Sequence, residues 1–244
     1  MVYAVPVPSY TALDASRIVE TLERLERRIV ERFPTASLAG VAKELLGVAN
    51  IASLEAISLE RPIWPIRIFS STLIAGLLLL IATTLFNIKW PSQFAEATQL
   101  VPLLESAVND IIFVALAVFF LAGWEARVKR SRALKAVHRL RSLAHVVDMH
   151  QLTKDPEHLL RSVPSTPSSP ERSMTRFELV RYLDYCSELL SLTSKLAALY
   201  VQHLPDPQVQ ASVNEVVNLT TGLSSKIWQK IVILDTAAVG QPRA

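Results

Sequence analysis

Apolar positions along the chain fall into two kinds of pattern: stretches with a helical period, and two stretches that are apolar all round. In "TALDASRIVETLERLERRIVERF", Ile18, Leu22, Leu25, Ile29 and Phe33 recur every three to four residues, the spacing of one face of an α-helix. Glu20 with Arg24 and Glu23 with Arg27 fall four apart on the opposite face, where ion pairs support a helix. Thr11 and Asp14 have the spacing of a capping box with Asp in place of Glu. Pro34 ends this element, and "ASLAGVAKELLGVANIASLEAISLE" reads as a second helix before the two prolines of "RPIWPIR".

Beyond Trp124 the period returns. Ala133, Val137, Leu140, Ala144 and Val147 repeat at intervals of four and three, the seam of a coiled coil or bundle. No Gly or Pro lies between Trp124 and Asp155, so the helix is expected to run unbroken from Ile111 through His150. "KDPEHLLRSVPSTPSSPERS" then reads as a solvated Pro/Ser linker and a plausible phosphorylatable loop. A further helix restarts behind a capping box at Thr175 and Glu178. The last one opens with Asp206 as N-cap and Pro207 at the first helical position. Its stripe is Val209, Val213, Val216, Thr220, Leu223, Ile227 and Leu234. Helices joined by short proline-marked turns predict an antiparallel bundle, with the N-terminal amphipathic helix as its fourth member.

The two stretches without a period change the class of the protein. Ile68 to Ile88 runs 21 residues with no Asp, Glu, Lys or Arg, long enough at about 1.5 Å per residue to cross a hydrocarbon layer of roughly 30 Å. Ile111 to Trp124 is shorter, but Glu105 and Asp110 stand at one end and Trp124 with "EARVKR" at the other, as in a span with solvated flanks. The mean hydropathy of +0.31 and the 50% hydrophobic content are concentrated there. Lys and Arg crowd both outer flanks, and only Lys89 lies between the spans; the positive-inside rule therefore puts both termini in the cytoplasm. "MVYAVPVPSY" has no basic n-region of a cleavable signal.

The chain is thus expected to be all-α: a two-span transmembrane helical hairpin with a cytoplasmic antiparallel helical bundle. Residues 1–62 form the first cytoplasmic segment, and 63–124 the hairpin with spans at about 66–88 and 104–124. Residues 125–236 form the bundle, interrupted by the linker at 153–173, and 237–244 a tail. The net charge of +3 needs no nucleic acid, because Arg127, Lys129, Arg130 and Arg132 directly follow a span, where lipid phosphate is the nearest anion.

Candidate chemistry centres on "HRLRSLAHVVDMHQLTKDPEHL", which holds four of the five histidines. On a helix His138, Arg141, His145 and Asp148 share a stripe, and with Tyr182 and Asp184 they form a candidate polar pocket. His138 and His145 are two turns apart, roughly 10 Å, too far to share one ion when Zn–N bonds are about 2.1 Å. Hydrogen bonding across the bundle is the expected role of His145 and Asp148; a metal ion would need ligands from another helix, and a pH-sensing role is a further alternative. A second candidate is an acidic outer vestibule of Glu96, Glu105 and Asp110, which would attract cations if several hairpins formed a ring. The lone Cys186 reads as a small buried hydrophobe. Asn218 sits in a glycosylation sequon, which is discounted on a cytoplasmic helix. No phosphate-binding glycine loop, dinucleotide fingerprint, nucleophile elbow or potassium-channel filter is present.

These patterns predict no cofactor, no metal and no enzyme. They point to a membrane-bound anchor, scaffold or signalling module, in contact with membrane lipids, whose amphipathic helices bind either a second copy or a protein partner. The alternative is a subunit of an oligomeric channel or transporter.

Overall fold

The computed structural model describes residues 11–87, 100–156, 167 and 174–239, and these are all-helical with no strand among them. Seven helices follow in order: α1 (Ala15–Arg32), α2 (Ser37–Glu60), α3 (Trp64–Asn87), α4 (Leu100–Ala122), α5 (Trp124–Leu152), α6 (Arg176–His203) and α7 (Pro207–Val239). They divide into two compact units. The first comprises Met1–Glu60 with Arg132–Ala244, and the second Arg61–Ser131. Of the expected 153–173 linker, the stretches 157–166 and 168–173 lie outside the described residues, as do Glu96 and positions 240–244 of the tail.

The first unit has a closed apolar core, and its members are those the periodicity selects. Ile18, Leu22, Leu25, Ile29 and Phe33 are buried from α1, and Ala133, Val137, Leu140, Ala144 and Val147 from α5. Val209, Val213, Val216, Leu223, Ile227 and Leu234 are buried from α7. Helix α6 packs against α1, α2 and α7, and α1 against α2. It buries most of the apolar side chains it carries, Cys186 included, while Phe177 stays exposed. Burial on most of its sides lets it serve several neighbours. Two hydroxyls enter this core without cost, because Thr193 donates to Leu189 O at 2.8 Å and Thr220 to Val216 O at 2.9 Å.

Polar contacts at the rim fix which turns face each other. Arg28 pairs with Glu188 at 2.6 Å, Arg176 with Asp235 at 3.1 Å and Arg141 with Glu215 at 2.9 Å. The Leu13 backbone exchanges two hydrogen bonds with the Gln202 amide. The capping box of Thr175 and Glu178 is formed in full, and Asp206 caps α7 through the Gln208 and Val209 amides. At α1 the cap is Asp14, which accepts from Ser16 N and Arg17 N; the helix therefore starts one turn later than a Thr11 cap would place it.

The second unit is built differently. Helices α3 and α4 pack against each other, yet Ile68, Phe69, Leu73, Leu78, Leu79, Leu80 and Phe86 of α3 are exposed, as are Ile111, Ile112, Phe113, Leu116, Phe119 and Phe120 of α4. The apolar windows within Ser37–Thr84 and Glu105–Ala122 are long and apolar enough to cross a membrane, and no residue of either is buried.

The helix expected to run from Ile111 to His150 is interrupted at Gly123 alone, α4 ending at Ala122 and α5 beginning at Trp124, while i→i−4 hydrogen bonds continue through that residue. Gly123 occupies the joint, where its amide bonds to Phe119 O at 3.2 Å and its carbonyl accepts from Arg127 N at 3.1 Å. The Phe120 carbonyl accepts from the Arg127 guanidinium, whose carbon lies 4.8 Å from the Phe120 ring centroid. A Cβ on residue 123 would stand 2.6 Å from Arg127 Nη1 and 3.3 Å from Phe119 O, so glycine is what lets the guanidinium reach the carbonyl. Gly123 lies at the edge of the span rather than in the 124–155 stretch, where the absence of Gly and Pro suggested continuity.

Candidate membrane-boundary site

The most tightly organised charges in the second unit surround Glu125. Pro62 supplies no amide donor, and Ile63 opens α3, its carbonyl accepting from Ile66 N at 3.0 Å and Arg67 N at 3.1 Å. The amide of Ile63 donates to Glu125 Oε1 at 3.0 Å. Arg67, one turn into α3, donates from Nε to Glu125 Oε2 at 2.5 Å. Lys129, one turn further along α5, sets its Nζ 3.0 Å from Glu125 Oε1. The carboxylate thus lies in the first turn of α5 and against the first turn of α3, two places where a helix end favours negative charge. The Arg67 hydrogen bond above all, then those from Ile63 and Lys129, holds the carboxyl down at about 2 against the opposing effect of desolvation.

Aromatic groups frame this cluster. Trp124 meets Phe69 edge to face, with centroids 5.9 Å apart and planes at 84°. Trp64, next to Ile63, is exposed. Two tryptophans thus stand beside a charged cluster at the end of a pair of apolar helices.

The four cations expected to meet lipid divide in the structure. Arg132 is exposed and Arg130 half-exposed. Lys129 is only 9% exposed and engages Glu125, and Arg127 closes the end of α4 through Phe120. Arg67 and Glu125, neither singled out from the sequence as site residues, complete the cluster. The readable signal was the i,i+4 pairing of Glu125 with Lys129; nothing local in the sequence ties Arg67 to either.

The residues of the candidate polar pocket take separate partners. His138 and His145 are exposed on α5, and Arg141 reaches Glu215. Asp148 accepts from Gln151 Nε2 at 2.6 Å. Tyr182 is buried on α6 against Phe33, with centroids 5.6 Å apart. Asp184 lies 3.5 Å from Arg181, its carboxyl pushed up by burial. What the C-terminal end of α5 does assemble is a lysine knot. Lys230 Nζ from α7 donates to Gln151 O at 2.9 Å, Gln151 Oε1 at 2.8 Å and Lys154 O at 3.4 Å. Gln151 is 2% exposed, and burial pulls the Lys230 ammonium below its ordinary value while Asp155 and Asp148 pull it back up. A cation at the carbonyl end of a helix is favourable. Lys230→Met is expected to lower the stability of the first unit by about 1–2 kcal/mol, because buried carbonyl and amide oxygens lose their donor; chemical denaturation followed by circular dichroism measures it.

Glu105 and Asp110 are exposed on α4. Five residues apart, they point about 140° away from each other around the helix axis. Among the described residues no three His, Cys, Asp or Glu side chains gather as metal ligands. Burial pushes the Cys186 thiol up to about 12, so it stays protonated in the core. Compared with models of known protein families, with curated proteins and with solved structures, the chain matches none.

Proposed function

We propose that the protein is a membrane-embedded, non-enzymatic anchor and interaction module: α3 and α4 cross the bilayer as a hairpin, and the remaining helices form a cytoplasmic bundle that presents a surface to a partner. The observation that carries this reading is the Glu125 cluster. It binds the residue that enters α3 and the cation one turn later, and it sits itself at the exit from α4. The chain therefore arrives and departs at the same end of the apolar pair, and that favours both flanks on one side of the membrane. The basic flanks make that side the cytoplasmic one. The contrast between a closed core in one unit and exposed apolar side chains in the other supports lipid as the solvent of α3 and α4.

A protease-protection experiment tests the topology. In inside-out vesicles, tags at either terminus are expected to be cleaved together, with the segment between α3 and α4 protected. Cleavage of one tag alone would overturn the hairpin. The protein is also expected to stay with the membrane in alkaline carbonate.

A second reading, a subunit of an oligomeric pore, has one feature in its favour. An open apolar cleft of about 520 Å³ runs between α3 and α4, floored by Gly76 and bordered by Thr72, Leu80 and Ala117, and another helix would fill it. Light scattering on the purified protein separates the two: an assembly of four or more copies with ion flux in liposomes supports the pore, and a monomer or dimer removes it.

A further inference from the structure

We infer that a cleft in the first unit binds a small molecule with an anionic head, phosphate or carboxylate, and an apolar body. The cleft, of about 600 Å³, lies where the α1–α2 turn, the C-terminal end of α5 and the N-terminal end of α6 meet. That volume is within the range of small-ligand sites.

Its walls supply both parts of such a ligand's surroundings. Phe33, Met149 and Met174 give apolar surface, and Arg32, Lys154 and Tyr182 give donors. The two cations are held in place by aromatic faces. The Arg32 guanidinium carbon is 5.4 Å from the centroid of Phe177, and Lys154 Nζ is 5.2 Å from that of Tyr182. Tyr182 is the telling residue. It is 2% exposed, yet no hydrogen bond to its hydroxyl is formed within the described residues. Because no fully buried side-chain polar atom among these residues lacks a partner, the hydroxyl reaches the accessible space of the cleft it lines. The hydroxyl therefore has solvent as its partner, and an anionic oxygen of a ligand can take that water's place. Burial also pushes its pKa upward, so the group remains a donor.

The one carboxylate among the described residues of the wall is already engaged. Glu178 accepts from Thr175 N and Thr175 Oγ1, both at 2.8 Å, and its acidity is raised by those bonds. His150, also in the wall, sets Nδ1 2.8 Å from Val146 O. Among the described residues of the wall, Arg32 and Lys154 stand against Glu178, a net positive charge that selects an anion. Neither the Glu125 cluster nor the proposed anchoring role uses any of these residues.

The test is calorimetric titration of the full-length protein in detergent micelles with two probes, phenyl phosphate and phenylacetate. Saturable binding of at least one probe, with Kd of about 1 mM or tighter, is the expected result, and whichever binds better names the head group. Tyr182→Phe, which keeps the ring against Phe33, and Lys154→Met are each expected to weaken binding about tenfold. Arg24→Gln, in the surface arginine cluster of α1, is expected to leave it unchanged. The inference is overturned if neither probe saturates, or if Arg24→Gln weakens binding as much as Lys154→Met does. If Tyr182→Phe does not fold, the contrast between Lys154→Met and Arg24→Gln decides alone.

Discussion

Replacing Glu125 by Ala is expected to loosen the joint between α3 and α5 by about 2–3 kcal/mol, the cost of leaving hydrogen-bonded, partly buried charges without their counter-ion. Three groups lose a partner at once: the Ile63 amide, Arg67 and Lys129. Lys129 suffers most, because its side chain is 11% exposed and water cannot fully replace the carboxylate. Arg67 is over half exposed and contributes less, since solvent screens it. Glu125→Gln is the milder variant, retaining an acceptor for Ile63 N while removing the charge. The pH dependence has a definite sign. The carboxyl sits at about 2 in the folded protein against an ordinary 4.5, so its contribution is complete above about pH 4.5. It is lost as pH falls from there through the folded value. The stability gap between wild type and Glu125→Gln, measured by urea titration in micelles, should therefore be flat from pH 5 to 8 and close progressively below 4.5. A gap that is absent at pH 7 would remove the cluster from the account of how the two ends of the apolar pair are held.

The sequence made the first unit's core legible almost residue by residue, because a soluble helix advertises its buried face through the 3.6-residue period. The α1 and α5 seams and the α7 stripe are all buried as the spacing requires. Helix α6 was legible in position but not in its centrality, since a helix apolar on most sides has no single face to read. The charged cluster was harder for a different reason. Ion pairs such as Arg67 with Glu125 join residues 58 apart, and neither partner's local sequence carries the other's address. The same limit explains the polar stripe on α5. His138, Arg141 and His145 do lie along one side of the helix, but that side faces outward. A shared stripe establishes that side chains are neighbours, not what lies opposite them: Arg141 meets Glu215 of α7, while His138 and His145 stay exposed. The lysine knot and the cleft at Tyr182 were invisible for that reason: both are made by α7 or by the α1–α2 turn meeting residues distant in the chain.

Leu78→Arg combined with Leu79→Arg is expected to abolish stable membrane integration, whereas Ile51→Arg with Leu54→Arg, on α2, should leave it intact. Exposure alone would not separate these pairs. Leu78 is 53% exposed and Leu54 74%, and in a water-soluble helix an exposed Leu→Arg change usually moves stability by less than about 0.5 kcal/mol. Helix propensity does not separate them either, because Leu and Arg are nearly equal formers. The difference is the solvent. Leu78 and Leu79 lie within about a turn of the middle of α3, which spans Trp64–Asn87. Moving from Leu to Arg at the centre of a membrane-spanning helix costs about 3 kcal/mol per position, or about 6 kcal/mol for the pair if the two are additive. Snorkelling cannot relieve much of this so far from either headgroup layer. The carbonate-resistant fraction after expression reads the outcome directly. If both double variants remain in the membrane pellet to the same extent as the wild type, α3 is not solvated by lipid, and its exposed leucines must be covered by protein instead.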